Sequence, residues 1–254
     1  MRCRAVISAG VFALGCATAG LATASPAAAV ANGSDVPQGQ YAFAAKLALT
    51  GVPHPGGSTY NSVCSGSLVA PKWVLTSGHC FHDANNNRIA GAVPYPTTVT
   101  LGTSDQTTKP GETRKVVQVL QAGPNDAALA QLDQPVTGIT PLTVNRATPA
   151  AGQRLTLAGW GSLTAANPKP STKLQQGVVE VGQVWPTTLG VHGVSPANTT
   201  SACAYDSGAP YFLPSGAGGQ LVAVENNGPD CPHSGLETTS RVDLIADWIA
   251  GHIG

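Results

Sequence analysis

Short runs of apolar residues recur along the chain, separated by Gly, Pro, Asn and Ser. Residues 44–50, 66–69, 73–76, 97–101, 116–121 and 127–132 form such runs in the first half, and 154–158, 177–184 and 220–224 in the second. Brief apolar runs bounded by turn formers predict strands. One stretch departs from this pattern. In 241–252, Val242, Ile245, Ala246 and Ile249 recur at helical spacing, Trp248 flanks the stripe and Ile253 continues it. That predicts one amphipathic C-terminal helix packing its stripe on the body. Residues 134–151 carry Pro135, Pro141 and Pro149 and read as a linker. The pattern predicts an all-β chain, barrel or sandwich, with a terminal helix.

The first 29 residues do not fit this pattern. Arg2 and Arg4 precede an apolar run over 5–21, no acid appears before Asp35, and Ala24-Ser25-Pro26-Ala27-Ala28-Ala29 closes the segment. This is the pattern of a secretory signal with an A-x-A site ending at Ala29, cleavage after Ala24 being the competing choice. A membrane anchor needs about 20 unbroken apolar residues, and Ser8, Thr18 and scattered Gly interrupt this run. The expectation is a mature chain over 30–254, secreted and not held in a membrane.

Composition narrows the function. Of the 254 residues, 42% are hydrophobic and 10% charged, which excludes disorder driven by charge. Thirteen basic side chains balance thirteen acidic ones, and losing Arg2 and Arg4 leaves eleven against thirteen. No polybasic character remains to attract nucleic acid. Cys3 and Cys16 also go with the leader, leaving Cys64, Cys80, Cys203 and Cys231. Four cysteines in a secreted chain predict two disulfides. Three pairings are open, and proximity in sequence favours Cys64–Cys80 with Cys203–Cys231.

Three stretches carry the chemistry: Leu75-Thr76-Ser77-Gly78-His79-Cys80, Asn125-Asp126-Ala127-Ala128-Leu129, and Asp206-Ser207-Gly208-Ala209-Pro210. Each alone is weak. A His beside a Cys is commonly structural, an Asp before a strand is commonly a turn residue, and Ser-Gly is a common turn pair. Their order, His then Asp then Ser, is more specific. Around them, Cys64-Ser65-Gly66-Ser67-Leu68, Trp73-Val74-Leu75-Thr76, Gly159-Trp160-Gly161 and the Cys203 and Cys231 positions fall into one pattern. With these motifs the mature chain resembles the chymotrypsin- and trypsin-like serine proteases over nearly its whole length.

The resemblance implies two six-stranded antiparallel β-barrels with a C-terminal α-helix. The first would span 30–147 and carry His79 and Asp126; the second would span 148–254 and carry Ser207. It implies the Cys64–Cys80 and Cys203–Cys231 pairing and a protein or peptide substrate; no cofactor is expected, and the histidines His54, His82, His192, His233 and His252 lack a metal-ligand spacing. Ser207 would be the nucleophile, His79 its base and Asp126 the group that orients the imidazole. Val30-Ala31-Asn32-Gly33 resembles the family's mature start. The Val30 amine would therefore pair with Asp206 once the leader is removed.

Several positions depart from the family. Tyr205 stands where Gly is usual, and its N–H would form the oxyanion hole together with that of Ser207. Tyrosine takes positive φ poorly, so either its surroundings hold it or the hole is impaired at rest. Ser201, in place of the aspartate of trypsin-like pockets, and Ala202 beside it point away from Arg or Lys specificity. Glu225, Asn226 and Asn227 replace Ser-Trp-Gly at the pocket wall. Glu225 would reach the neighbourhood of Asp126, meet a basic substrate group, or face water. Asp230 reads as a loop charge. Asp83, Asn85 and Asn87 alternate as in a calcium loop but lack its Gly and Glu. The expected function is a secreted serine endopeptidase. A catalytically impaired binding protein on the same scaffold, or a serine esterase, are the alternatives.

Overall fold

The computed structural model describes residues 30–254; the expected signal segment lies outside them. Fifteen strands occur among the described residues. They are β1 (Ser34–Asp35), β2 (Ala44–Pro53), β3 (Thr59–Ala70), β4 (Trp73–Thr76), β5 (Gly91–Ala92), β6 (Thr97–Leu101), β7 (Glu112–Gln121) and β8 (Ala128–Leu132). Then follow β9 (Thr143–Val144), β10 (Arg154–Gly159), β11 (Gln175–Val184), β12 (Thr188–Ser195), β13 (Pro210–Ser215), β14 (Gly218–Asn227) and β15 (Glu237–Arg241). The chain ends in helix α1 (Ala246–Ile253), entered through a 3₁₀ turn at Asp243–Ile245.

These strands close into two six-stranded antiparallel barrels. In the first, β6, β2, β3, β4, β8 and β7 follow one another around the ring, and the β6–β7 pairing closes it. In the second the ring is β10, β13, β14, β15, β12 and β11. Closure removes free strand edges, which answers the edge problem of an all-β chain. Alternation makes the interiors. Along β6 and along residues 175–182 of β11, every second side chain is buried, as a period of two requires.

Elements of the first half also reach the second barrel. The two-residue strand β1 pairs with β11, and β9, inside the expected linker, pairs in parallel with β14. Tyr41, Phe43 and Phe212 stack edge to face at the seam, with ring centroids 4.9 and 5.1 Å apart. Lys46 of β2 donates to the Ser171 carbonyl at 2.6 Å and lies 5.5 Å from the Trp160 ring. Burial pulls its ammonium below the usual lysine range.

The structure departs from the sequence pattern in two places. β12, β13 and β15 escape a search for apolar runs. β15 reads Glu-Thr-Thr-Ser-Arg, yet four of its five side chains are buried. Three of the four find polar partners inside: Glu237 with the Ala202 N–H, Ser240 with Asn226, and Arg241 with Asp243 and the Trp185 carbonyl; the Thr239 hydroxyl finds none. The helix also starts later than its apolar stripe suggests, because Arg241 still pairs with Ala223 as part of β15. The stripe is buried as expected, and Val242, Ile245 and Ile249 join the larger core cluster with the first barrel's interior. Ile249→Ala should therefore cost about 2–5 kcal/mol of stability, read by denaturant unfolding; a change below about 0.5 kcal/mol, the scale of surface substitutions, would contradict this packing.

Candidate active site

Each candidate residue is held by backbone that the barrels position. His79 sits in the 3₁₀ turn Gly78–Cys80 after β4, and the Cys64–Cys80 disulfide ties that turn to β3. Asp126 precedes β8, which pairs with β4. The two meet: the His79 backbone N–H donates to Asp126 Oδ1 at 2.8 Å, and the imidazole Nδ1 lies 2.7 Å from Oδ2. A carboxylate only accepts, so the imidazole proton belongs on Nδ1, leaving Nε2 free to take a proton. Burial pushes the Asp126 carboxyl up, but the hydrogen bonds and charge of His79, with Arg88 behind them, outweigh it and leave it below the usual range.

Ser207 lies between two cavities. His79, Tyr205 and Ser207 line a cleft of about 300 Å³ together with Tyr60 and His82. On the other side, Ser207 borders a cavity of about 290 Å³ walled by Ala202, Glu225, Asn226 and Asn227. The hydrogen bonds among the described residues do not include one from Ser207 to His79. In unliganded sites such contacts are commonly long and tighten with substrate.

The turn carrying Ser207 is tightly specified. Tyr205 takes the left-handed conformation, φ 77°, which costs a non-glycine residue roughly 1–3 kcal/mol. Its surroundings hold it there. Ser65 Oγ donates to the Tyr205 carbonyl at 3.2 Å and accepts the Trp160 N–H at 2.9 Å, while the Asp206 N–H donates to the Cys203 carbonyl. The backbone N–H groups of Tyr205 and Ser207 donate to no acceptor among the described residues. Gly208 has φ 85°, and a Cβ there would strike Thr76 and the Ser65 carbonyl.

Beneath this turn lies Asp206, fully buried. Its carboxylate accepts N–H groups from Gly161 at 2.8 Å and Cys203 at 3.0 Å. No cation pairs with it among the described residues, and burial pushes its carboxyl well above the usual range. Val30 is fully buried in the second barrel's core cluster, and Ala31 bridges to Ser201.

Some placements were not legible beforehand. Arg88 lies 3.8 Å from Asp126 and donates to the Asn125 and Gly123 carbonyls. Asn226 donates to Ser240 Oγ, which donates to the Asp126 carbonyl. Glu225 is 3% exposed, so it does not face water; it accepts the Tyr211 hydroxyl at 2.7 Å. Ser201 is buried and is not among the cavity's lining residues, and its hydroxyl accepts the His233 N–H. Glu237, which carried no sequence signal, lines that cavity instead. The second disulfide, Cys203–Cys231, ties the serine turn to the cavity wall. Among the described residues no group of His, Cys, Asp or Glu is arranged to hold a metal ion, and no helix is long and apolar enough to cross a membrane.

Ser65→Ala removes both the acceptor for the Trp160 N–H and the donor to the Tyr205 carbonyl. The expected cost is about 1–3 kcal/mol, measured by denaturant unfolding; no loss would mean that Ser65 does not hold the turn.

The comparisons agree with this fold. The Trypsin family profile matches residues 30–249. Glucanase inhibitor protein 2 of Phytophthora sojae is 29% identical over 98% of this chain and 87% of its own length. Serine protease 56 of Mus musculus is 30% identical over 87% of this chain, which spans only 38% of that protein. Among solved structures, neuropsin, a serine protease of mouse brain, superposes with TM-score 0.70 at 19% identity, over 89% of this chain and all of that one. Human heparin binding protein gives 0.67 at 24%, over 87% and 96%. The fold is chymotrypsin-like, and the chain belongs to the Trypsin family.

Proposed function

We propose that this protein is a secreted serine endopeptidase. The observation that carries the reading is the His79–Asp126 pair facing the same cleft as Ser207 and the unused N–H groups of Tyr205 and Ser207. A substrate carbonyl lies over Ser207 between the two cavities. Ser207 attacks it while His79 Nε2 takes the hydroxyl proton, and Asp126 steadies the imidazolium that forms. The negative oxygen sits against the two N–H groups. His79 then protonates the leaving amine, and water hydrolyses the acyl-enzyme. Hydrolysis of a mixed peptide library, followed by mass spectrometry, tests this. Asp126→Asn should lower the rate by about 10⁴-fold, the scale known for this family's triad, and Ser207→Ala should abolish turnover. Equal cleavage by the parent and Ser207→Ala would overturn the reading.

The Val30 amine, freed by removal of 1–29, supplies the cation that Asp206 lacks. Support comes from the buried Val30, the Ala31–Ser201 bridge and the unpaired carboxylate. The sign follows from Asp206. A raised folded pKa means the folded chain binds its proton more tightly than the unfolded one. Without a cation, stability therefore falls as pH rises above about 3.9, the unfolded value, toward the folded one. A form beginning at Val30 should be more stable at pH 7 than one beginning at Ser25, and the gap should close in acid. Equal stability and activity of the two forms at pH 7 would contradict the pairing.

A second reading, a binding protein on this scaffold, draws on the likeness to a protein named as a glucanase inhibitor. Against it stands the retained pairing of His79 with Asp126 beside Ser207.

A further inference from the structure

Two carboxylates share the cavity beside Ser207. Glu225 on β14 and Glu237 at the start of β15 both line it and are almost fully buried. Glu225 Oε2 accepts the Tyr211 hydroxyl and Glu237 Oε1 accepts the Ala202 N–H at 2.6 Å. Both face the same cavity, and the charge of Glu237 is felt at Glu225. His233 Nε2 is 3.3 Å from Glu237 Oε1, and among the described residues no Lys or Arg forms an ion pair with either glutamate. Asp230, exposed, adds a third acid to the cavity lining.

Two carboxylates this close, away from water, do not both ionise without a countercharge. Burial, then the neighbouring Glu237, pushes the Glu225 carboxyl well above the usual range. Filling this cavity with an apolar group would leave the acids dry and unmatched, whereas a guanidinium or ammonium would satisfy them.

We propose that this cavity takes a cationic side chain, Lys or Arg, from the residue before the cleaved bond, with Glu225 and Glu237 as its countercharge. The assignment rests on the protease reading above. Neutral Ser201 taken alone points away from a cation. The acids that reverse that expectation come from two other strands, and one of them, Glu237, stands in a wholly polar run.

The test separates the pocket from the chemistry by measuring binding on the Ser207→Ala protein. Benzamidine, a cation, is compared with benzamide, its neutral counterpart, by calorimetry. Benzamidine should bind at least about 10-fold more tightly, and Glu225→Gln and Glu237→Gln should each weaken it by about 10-fold or more, on the scale of a charged hydrogen bond. Thermal melts confirm that each variant is folded; if one is not, the other and the benzamidine-to-benzamide ratio of the parent decide. Equal affinity for the two probes, or benzamidine binding unchanged in the glutamine variants, would overturn the assignment. A benzamidine preference in a protein that hydrolyses no peptide would count against the protease reading and leave the pocket standing.

Discussion

The Asp206 carboxylate has no exposed surface, and the segments around it are shaped by that fact. Its oxygens accept N–H groups from Gly161 and Cys203, so one side chain joins the loop after β10 to the turn that presents Ser207. Side chains at Gly159 or Gly161 would collide with it. Burying an anion without a partner is costly, and among the described residues only the Gly161 and Cys203 N–H groups are bonded to it. Ser207 thus sits one residue beyond a buried carboxylate, which the proposed pairing with the Val30 amine would balance.

Strain and pinning work against each other in the same turn. Tyr205 takes a conformation that suits glycine, and two hydrogen bonds through Ser65 hold its carbonyl in place. The same peptide turns the Asp206 N–H to the Cys203 carbonyl, and the N–H groups of Tyr205 and Ser207 donate to no acceptor among the described residues. His79 and Asp126 come from the other barrel, held by the β4–β8 pairing and a disulfide. The site residues thus come together across a seam in which Tyr41, Phe43 and Phe212 pack between the barrels.

Much of this was legible in the sequence, for identifiable reasons. β4 and β6 are short apolar runs between turn formers, and their observed limits match them residue for residue. The C-terminal stripe Val242, Ile245, Ala246 and Ile249 was visible through its spacing. Residues whose role depends on partners distant in sequence were not. Glu237 and Ser240 look like surface residues until β12 and β14 enclose them. Arg88 reaches Asp126 only because the loop after His79 folds back beside the loop before β8. Pocket chemistry inferred from Ser201 failed to anticipate the second acid for the same reason.

The central claim is that Ser207 is an activated nucleophile, and its most direct measurement is intact mass before and after reaction with a fluorophosphonate. The account predicts a single adduct on the parent and none on Ser207→Ala, with the untreated mass placing the chain start at Val30. A folded protein with that start and no adduct would contradict it.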